Sequence, residues 1–416
     1  YAKHFYMLNS NNEYGEVKSI EIPDTVTIIG YYQFYRFNNV TSIIIPSSVT
    51  TIGDSAFSGC TSLTSITIPN SVTTIGEFAF SNCTSLTSIT ISSSIEIIGN
   101  GTFNYCTSLQ NVYYEGTIED WCNIKFYSIH VGYVSIPSNP MYYAKHFYML
   151  NSNNEYEEVT SITIPEGVIS IGDYAFYNCT SLTGITIPSS VTAIGKYAFD
   201  GCDSLTSITI PNGVTTIGER AFSGCTSLTS ITISSSVTTI GEWAFSGCTS
   251  LESITIPTSV EIIEYSAFSY CTSLTNIILP NSVTTIRSSV FSDCTSLESI
   301  TIPSSVTRIE SYAFYNCKSL MNVYYEGTIE DWCHIVFDSN TRYPTPMQYA
   351  SHFYMLNSNN EYEEVTSIEI PDTITSIGDY QFKGFNNVTS ITISSSVTKI
   401  GEWAFSGCTS LESITI

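Results

Sequence analysis

Positive charge is what this chain has least of. Thirteen Lys and Arg stand against thirty-seven Asp and Glu over 416 residues, for a net charge of −24. Nucleic acid and anionic membrane surfaces are recognised by basic patches, so both are excluded as partners, and a partner chosen by charge is basic. No apolar run reaches the roughly 18 residues a spanning helix needs, so no membrane insertion is expected of this stretch. No basic-then-apolar leader opens the sequence either. It starts in YAKHFYML, the middle of a unit that recurs, and stops at LESITI where other turns continue. Both ends read as cuts through a longer repetitive protein, so the missing leader says little about the full product.

Metal-binding and catalytic patterns are also missing. There is no Cys-x-x-Cys pair and the five histidines are scattered, which leaves no metal or other cofactor to expect. No paired carboxylates, Ser/His/Asp set, Cys/His set or phosphate-cradling glycine loop stands out, and an enzyme is the least favoured reading.

What is present is repetition. From Cys60 a step of 23 residues reaches Cys83 and then Cys106, and from Cys179 the same step runs through Cys202, Cys225, Cys248, Cys271 and Cys294 to Cys317. The phenylalanine three places before each keeps register. A fixed period of this size marks a solenoid, in which each turn contacts only its neighbours. Eleven of the thirteen cysteines share one repeat position. They read as a column of buried free thiols, small hydrophobes with a weak hydrogen bond, rather than as disulfides.

Within one turn, Ser62–Thr84, the pattern assigns itself. Ser65-Ile66-Thr67-Ile68 alternates and reads as a half-buried strand, which Pro69 ends by removing a backbone donor. Val72 and Ile75 point inward from a second short extended segment, and Ala79, Phe80, Cys83 and Leu86 complete the interior. Gly76 resembles a turn glycine, but Glu264, Arg287 and Glu310 hold its place elsewhere, which argues against a left-handed backbone there. Phe37 and Phe385 replace the cysteine, and Val40 and Val388 the leucine, in turns that follow an interruption of the repeat, where a larger core residue has room.

Three copies of one interrupting segment divide the chain into modules: residues 1–142, 143–348 and 349–416. Each module opens with a version of YAKHFYMLNSNNEYGEV, at Tyr1, Tyr143 and Tyr349. Apolar HFYML, turn-forming NSNN and then EVTSITIP predict a hairpin whose second arm runs straight into the first repeat strand. The recurring His4, His146 and His352 read as structural. The first two modules end in NVYYEGTIEDWC, at Asn111 and Asn322, where Thr117-x-x-Asp120 and Thr328-x-x-Asp331 have capping-box spacing. A short helix is expected at each, with Trp121 and Trp332 inward. The irregular stretches after them, residues 127–140 and 338–346, read as linkers at which the solenoid can bend.

These columns make the chain resemble the BspA-like class of leucine-rich-repeat proteins, whose unit is L-x-x-I-x-I-P-x-x-V-x-x-I-G-x-x-A-F-x-x-C-x-x. It stands nearly unbroken at Leu63–Ser85, Leu86–Ser108, Leu182–Ser204, Leu205–Ser227, Leu228–Ser250 and Leu251–Ser273, and the likeness covers about three-quarters of the chain. It implies a β-rich, right-handed leucine-rich-repeat solenoid with a parallel sheet on one face. Short helical or 3-10 turns and inserted hairpins would complete it, in one continuous body. It also implies an extracellular or cell-surface location and binding to matrix proteins or cells. The family has no shared catalytic residues to carry over.

Three outward columns offer binding surface. The centre of the main sheet is threonine in ten of sixteen turns, as a strand-forming ladder would be, with Ile44, Tyr113, Ile278 and Tyr324 as apolar anchors. The position before each Ala-Phe pair is aromatic in eight of thirteen turns, including Tyr174, Tyr197, Trp243 and Trp403. It reads either as packing at the corner or as a sticky stripe for protein or glycan. Beside it, Asp54, Glu77, Asp173, Glu219, Glu242, Asp379 and Glu402 read as a solvated acidic face. The leading expectation is a non-catalytic adhesion or protein-binding solenoid directed at a host extracellular protein or cell surface. A spacer presenting another domain and a carbohydrate-binding solenoid are the alternatives.

Overall fold

Each 23-residue turn closes on its neighbours through three hydrogen-bonded ladders. The structure is a computed structural model that describes residues 6–8, 13–131, 134–338 and 345–416. The first module's His4 lies outside the described residues, as does most of residues 338–346. Two units, Tyr1–Leu205 and Thr206–Ile416, are each a β-solenoid of parallel strands.

The first ladder is the expected main sheet. Ser65–Thr67 pairs in parallel with Ser88–Ile91, and that strand with Asn111–Tyr114. In the second unit Asn276–Ile278, Ser299–Ile302 and Asn322–Tyr325 pair likewise. The second ladder is the short inward-facing segment: Thr51–Ile52, Thr74–Ile75, Ile97–Ile98 and Lys125–Phe126. At Ser253–Ile256 no strand forms, although the residues are those of other turns, and nothing in the structure explains the exception.

The third ladder is made of turns. The amides of Phe78, Phe80 and Asn82 donate to the carbonyls of Asn100, Thr102 and Asn104 in the next turn, at 2.8, 3.0 and 2.7 Å. The amides between them, of Ala79, Ser81 and Cys83, close locally onto Gly76, Phe78 and Phe80. Alternate donors therefore point along the solenoid and alternate donors fold the chain back on itself. This geometry places residues on the left-handed side of φ: Phe78 at 54° and Asn82 at 59°, and their counterparts through Tyr197 at 57° and Trp243 at 57°. Two positions per turn are thus left-handed: the one before Ala-Phe, occupied by Tyr, Ser, Phe, Gly, Arg and Trp, and the one before the repeat-cysteine position, where glycine alternates with Asn, Asp, Tyr and Arg. Gly76 is not left-handed, as expected. A Cβ there would lie 2.5 Å from Asp54 Oδ1 and 2.6 Å from the Asp54 amide nitrogen, so close approach of the previous turn requires it.

Inside, the columns stack. Phe57 and Phe80 lie 5.2 Å apart and 5° from parallel, and Phe222 and Phe245 5.5 Å and 4°. The thiol of Cys83 donates to the Phe57 carbonyl at 3.3 Å, Cys106 to Phe80 at 3.1 Å and Cys271 to Phe245 at 3.2 Å. All thirteen cysteines are free, and all but Cys408 are buried. Hydroxyls tie the surface of each turn to the one before: Thr64 Oγ1 reaches the Thr41 carbonyl and Thr87 Oγ1 the Thr64 carbonyl, while Ser48 and Ser71 bond to the carbonyls of Val26 and Val49.

The hairpins that open the modules enter the solenoid differently from the expectation. The first arm, His146–Leu150, joins the main sheet in parallel with Asn111–Tyr114, taking the place of a repeat strand. The second arm, Tyr156–Glu158, returns antiparallel and ends that sheet. The next strand, Ser161–Thr163, starts a new one, so the hairpin does not run on as one ladder. His352–Leu356 and Tyr362–Glu364 repeat this arrangement. The reversal is made by Asn151, whose Oδ1 accepts the amides of Asn153 and Glu155 at 2.9 and 3.0 Å, with Asn154 left-handed at φ 65°.

Both helices form, α1 at Ile118–Asn123 and α2 at Ile329–His334, each with the capping box expected of it. Trp121 and Trp332 are fully buried. The stretch at 127–140 is not a loose linker in its described part. Ser138 and Asn139 are buried; Ser138 Oγ donates to the Ile98 carbonyl at 2.8 Å and Asn139 Nδ2 to that of Tyr174 at 2.8 Å.

Deleting one ring of the stack is expected to cost about 3–5 kcal/mol; Phe80→Ala measured by urea unfolding tests this, and a loss below about 1 kcal/mol would contradict close stacking. Burial pushes the thiols of Cys179, Cys271 and Cys317 up to about 12. Only Cys408 is therefore expected to react with a thiol reagent in the native protein, the other twelve reacting at the rate of unfolding.

Candidate functional site

The outer face of the main sheet changes character where a module-opening strand enters it. The parallel register sets Tyr148 beside Tyr113, and their rings stack with centroids 5.0 Å apart. Tyr156, on the returning arm, meets Tyr113 edge-on at 4.8 Å, and its hydroxyl donates to Glu115 Oε1 at 3.1 Å. The second unit carries the same patch: Tyr324 against Tyr354 at 4.9 Å and Tyr362 at 4.8 Å, with the Tyr362 hydroxyl 3.3 Å from Glu326 Oε1. Partial burial and the Glu115 carboxylate push the Tyr156 phenol up to about 12, so it stays a neutral donor throughout the physiological range. Tyr113 and Tyr324 are thus brought into clusters. Tyr148, Tyr156, Tyr354 and Tyr362 do not stand out in the sequence; the available signal is that NVYY and HFYM align residue for residue once HFYML is read as a sheet strand.

Each patch has a histidine–glutamate hydrogen bond at its border. His146 Nδ1 lies 2.7 Å from Glu158 Oε1 and His352 Nδ1 2.5 Å from Glu364 Oε1. Ser181 Oγ donates to the same Glu158 oxygen at 2.7 Å. The Ser181 bond first, and the His146 contact after it, hold the Glu158 carboxyl below the usual carboxylate range. His146 and His352 therefore tie the two arms of each hairpin together, while Ser181 and the Asn387 side-chain amide, donating to Glu158 and Glu364, tie the hairpin to the turn that follows.

A cleft of ≈ 370 Å³ opens between the returning arm and Ser161–Thr163, with Ile118, Met149, Leu150, Glu157 and Glu158 on its walls. It exists because both strands end their sheets there. Its volume falls in the range of small ligand sites, and its lining is part apolar and part acidic.

The remaining candidates stand apart. Ile44 and Ile278 are 53% and 63% exposed on the sheet face, Ile44 beside Glu21 and Ile278 beside Thr301. In the column before Ala-Phe, Tyr174 is only 6% exposed and stacks on Tyr197 at 4.9 Å, so it offers a partner almost no surface. Trp243 is half-covered by the Arg220 guanidinium, 5.1 Å from its ring centre. Trp403 is 61% exposed. The acidic column does more than face water. The Oδ1 atoms of Asp54, Asp173 and Asp379 accept the amides of Glu77, Lys196 and Glu402 at 2.8, 2.7 and 2.8 Å. Where Arg287 and Glu310 replace the glycine, the facing acid is gone too, replaced by Tyr265 and Ser288, and Glu310 Oε2 accepts the Ser288 amide at 3.0 Å instead. Among the described residues no three His, Cys, Asp or Glu side chains come together as a metal ion would require, and no helix is long and apolar enough to cross a membrane.

The family described as "BspA type Leucine rich repeat region (6 copies)" matches residues 10–130, 149–272, 216–343 and 357–416. A leucine-rich repeat protein from Bacteroides ovatus is 24% identical, over 100% of this chain and 93% of that one, with a TM-score of 0.55; at that identity the likeness speaks for the fold alone. A leucine rich cell surface protein from Faecalibacterium prausnitzii is 27% identical over 82% of this chain and 97% of its own, TM-score 0.45. The pneumococcal vaccine antigen PcpA is 20% identical over 77% of each chain, TM-score 0.47. No curated protein matches the sequence.

A carboxyl lowered in the folded state adds stability that is complete above its unfolded value, about 4.3, and is lost as pH falls through the folded one. Glu158→Gln is therefore expected to flatten the acid limb of the stability curve between about pH 5 and pH 3. Curves parallel to the parent's would show that the pair contributes nothing.

Proposed function

The chain belongs to the BspA-type leucine-rich-repeat family, and from that premise we propose that it is a non-catalytic, secreted or surface-displayed protein that binds a protein partner, such as a host matrix protein or cell surface, through its tyrosine patches. The observation that carries this reading is the duplicated ring cluster of Tyr113, Tyr148 and Tyr156 and of Tyr324, Tyr354 and Tyr362 on the outer sheet face. Tyrosine supplies large, rigid, amphipathic contact area with few rotors to freeze, which is why it is enriched in interface hot spots. Here each cluster holds its own rings in place, so little ordering cost remains on binding. Glu115 and Glu326 fix the phenol orientation of Tyr156 and Tyr362 and add negative charge to the rim. With a net charge of −24, the fitting partner presents basic residues around an apolar or aromatic centre, and its approach is accelerated by the field of the whole chain.

Two copies of one patch in one chain favour avidity over a single deep site. Each contact can be weak and still hold a multivalent surface. The cleft beside the first patch shares its hairpin and so belongs to the same surface. The patches occupy the joints between modules, where the repeat is interrupted, while the threonine face between them is nearly uniform.

Pull-down against immobilised extracellular matrix proteins tests the reading. Tyr113→Ser with Tyr148→Ser in one variant, and Tyr324→Ser with Tyr354→Ser in another, are each expected to weaken binding about tenfold, and the combination to abolish it. Unchanged binding by the combined variant would remove the patches as the interface.

A further inference from the structure

The second and third modules begin under the same roof. At the second, α1 lies over the first repeat turn, and the Trp121 indole N–H donates to the Ala175 carbonyl at 2.6 Å. Behind it, Asn178 Nδ2 donates to the Met141 carbonyl at 2.9 Å. At the third, α2 does this: Trp332 Nε1 donates to the Gln381 carbonyl at 2.9 Å, and the Gln381 side-chain amide donates back to the Trp332 carbonyl. The Trp332 ring lies 4.7 Å from Phe353 and 5.8 Å from Phe385. Under these roofs Ile162, Val168 and Phe176, and equally Ile368, Ile374 and Phe382, are at most 4% exposed.

The first module presents the same surface with no described residue in that place. Ile20, Val26 and Phe34, the counterparts of those buried residues, are only half-buried, and Gln33 is exposed. With Ile22, Pro23 and Ile29 they line a cleft of ≈ 390 Å³. Its residues match the third module more closely than the second. Tyr32 begins YQFYRFNNV where Tyr380 begins YQFKGFNNV. Gln33 stands where Gln381 clasps a tryptophan, and Phe37 where Phe385 packs on its ring. The second module has Ala175 and Cys179 at those positions. In the first module Gln33 is exposed, and Phe37, half-buried, meets Phe34 edge-on at 5.7 Å. In the third module both serve the tryptophan.

We propose that this cleft is a socket for the tryptophan-bearing end of another module of the same kind, stacked ahead of the first module as the second module's end is stacked on the third. The occupant is a helix of the Thr-Ile-Glu-Asp-Trp-Cys type, its indole N–H on the Gln33 carbonyl and its ring against Phe37. Both such helices within residues 1–416 are engaged, Trp121 and Trp332 being fully buried, so the occupant comes from outside them. The inference is independent of the tyrosine patches and stands if those bind nothing.

The test is a chain in which residues 143–348 are duplicated ahead of Tyr1, compared with the parent by hydrogen–deuterium exchange. Amides between Ile20 and Phe37 are expected to exchange about tenfold more slowly in the extended chain. Trp332→Ala in the added copy alone is expected to return them to the parent rate while the added repeats stay protected, and Phe37→Asp in the first module to do the same. Unchanged exchange over Ile20–Phe37, whether or not the added copy folds, would overturn the proposal. So would protection that survives the loss of the added tryptophan.

Discussion

Every turn of this molecule depends on the next one to satisfy its backbone. A buried amide or carbonyl without a partner costs about 1–3 kcal/mol, and a 23-residue coil with strands of two to four residues cannot pair those groups within itself. The sheet ladders take part of the load, and the run of turns takes the rest by sending alternate amides to the next repeat. That arrangement requires left-handed residues, and nineteen of the described ones in these turns are not glycine. Each carries a cost of roughly 1–2 kcal/mol relative to the right-handed form, tolerated because the ladder it permits is continuous. Once the ladder fixes the spacing, the interior follows: phenylalanine on phenylalanine, and each thiol on the phenylalanine carbonyl of the preceding turn. The cysteine is in that sense a hydrogen-bond donor of the right size to be buried, with its thiol proton held.

This explains which parts of the fold were legible in the sequence. Inward positions hold the same residue turn after turn because the neighbours around them never change, so the period, the two strands, the core list and the capped helices could all be read. The left-handed column could not. Its constraint acts on the backbone while its side chains range from buried to exposed, so Tyr32, Ser55, Phe78, Arg220 and Trp243 share a conformation and no chemistry. The glycine column misled in the opposite way. Its near-uniformity is real, but it reflects the close passage of the previous turn's backbone, as at Gly76, Gly99 and Gly241, and not the facing residue, since Glu264 stands opposite Glu242 and Gly218 opposite Lys196. The sheet pairing of the hairpin at His146–Leu150 was hidden for a third reason: Tyr113 and Tyr148 pair in register although they are 35 residues apart, where the repeat has 23.

The candidate site was half legible for the same cause. Tyr113 and Tyr324 were visible as departures from threonine in a known column. The rings that complete their clusters belong to the inserted hairpins, whose place in the sheet no periodicity announces. Tyr174 and Trp243 looked equivalent as aromatics, yet local packing separates them: one is buried under Asn139 and Tyr197, the other lies beneath Arg220. Exposure in such a column is set by the neighbours one turn away, and these vary.

A strictly periodic surface cannot by itself define a unique place, because each turn offers what the last one offered. Individuality has to enter where the period is broken, and in this chain one kind of insertion breaks it. The first arm of the inserted hairpin enters the main sheet in parallel and the second returns antiparallel, and together with the capped helix that precedes it the insertion does three things. It gathers tyrosines from two segments onto one face. It ends a sheet and leaves a cleft before the next. It lays a tryptophan helix over the next core, so that the hydrophobic interior passes through the joint while the outer surface changes. The joint is therefore at once the structural coupling between modules and the place where the otherwise nearly uniform sheet face changes. The tyrosine patch and the tryptophan helix are thus different residues of one joint, and lengthening the solenoid by a module would add both with the same step.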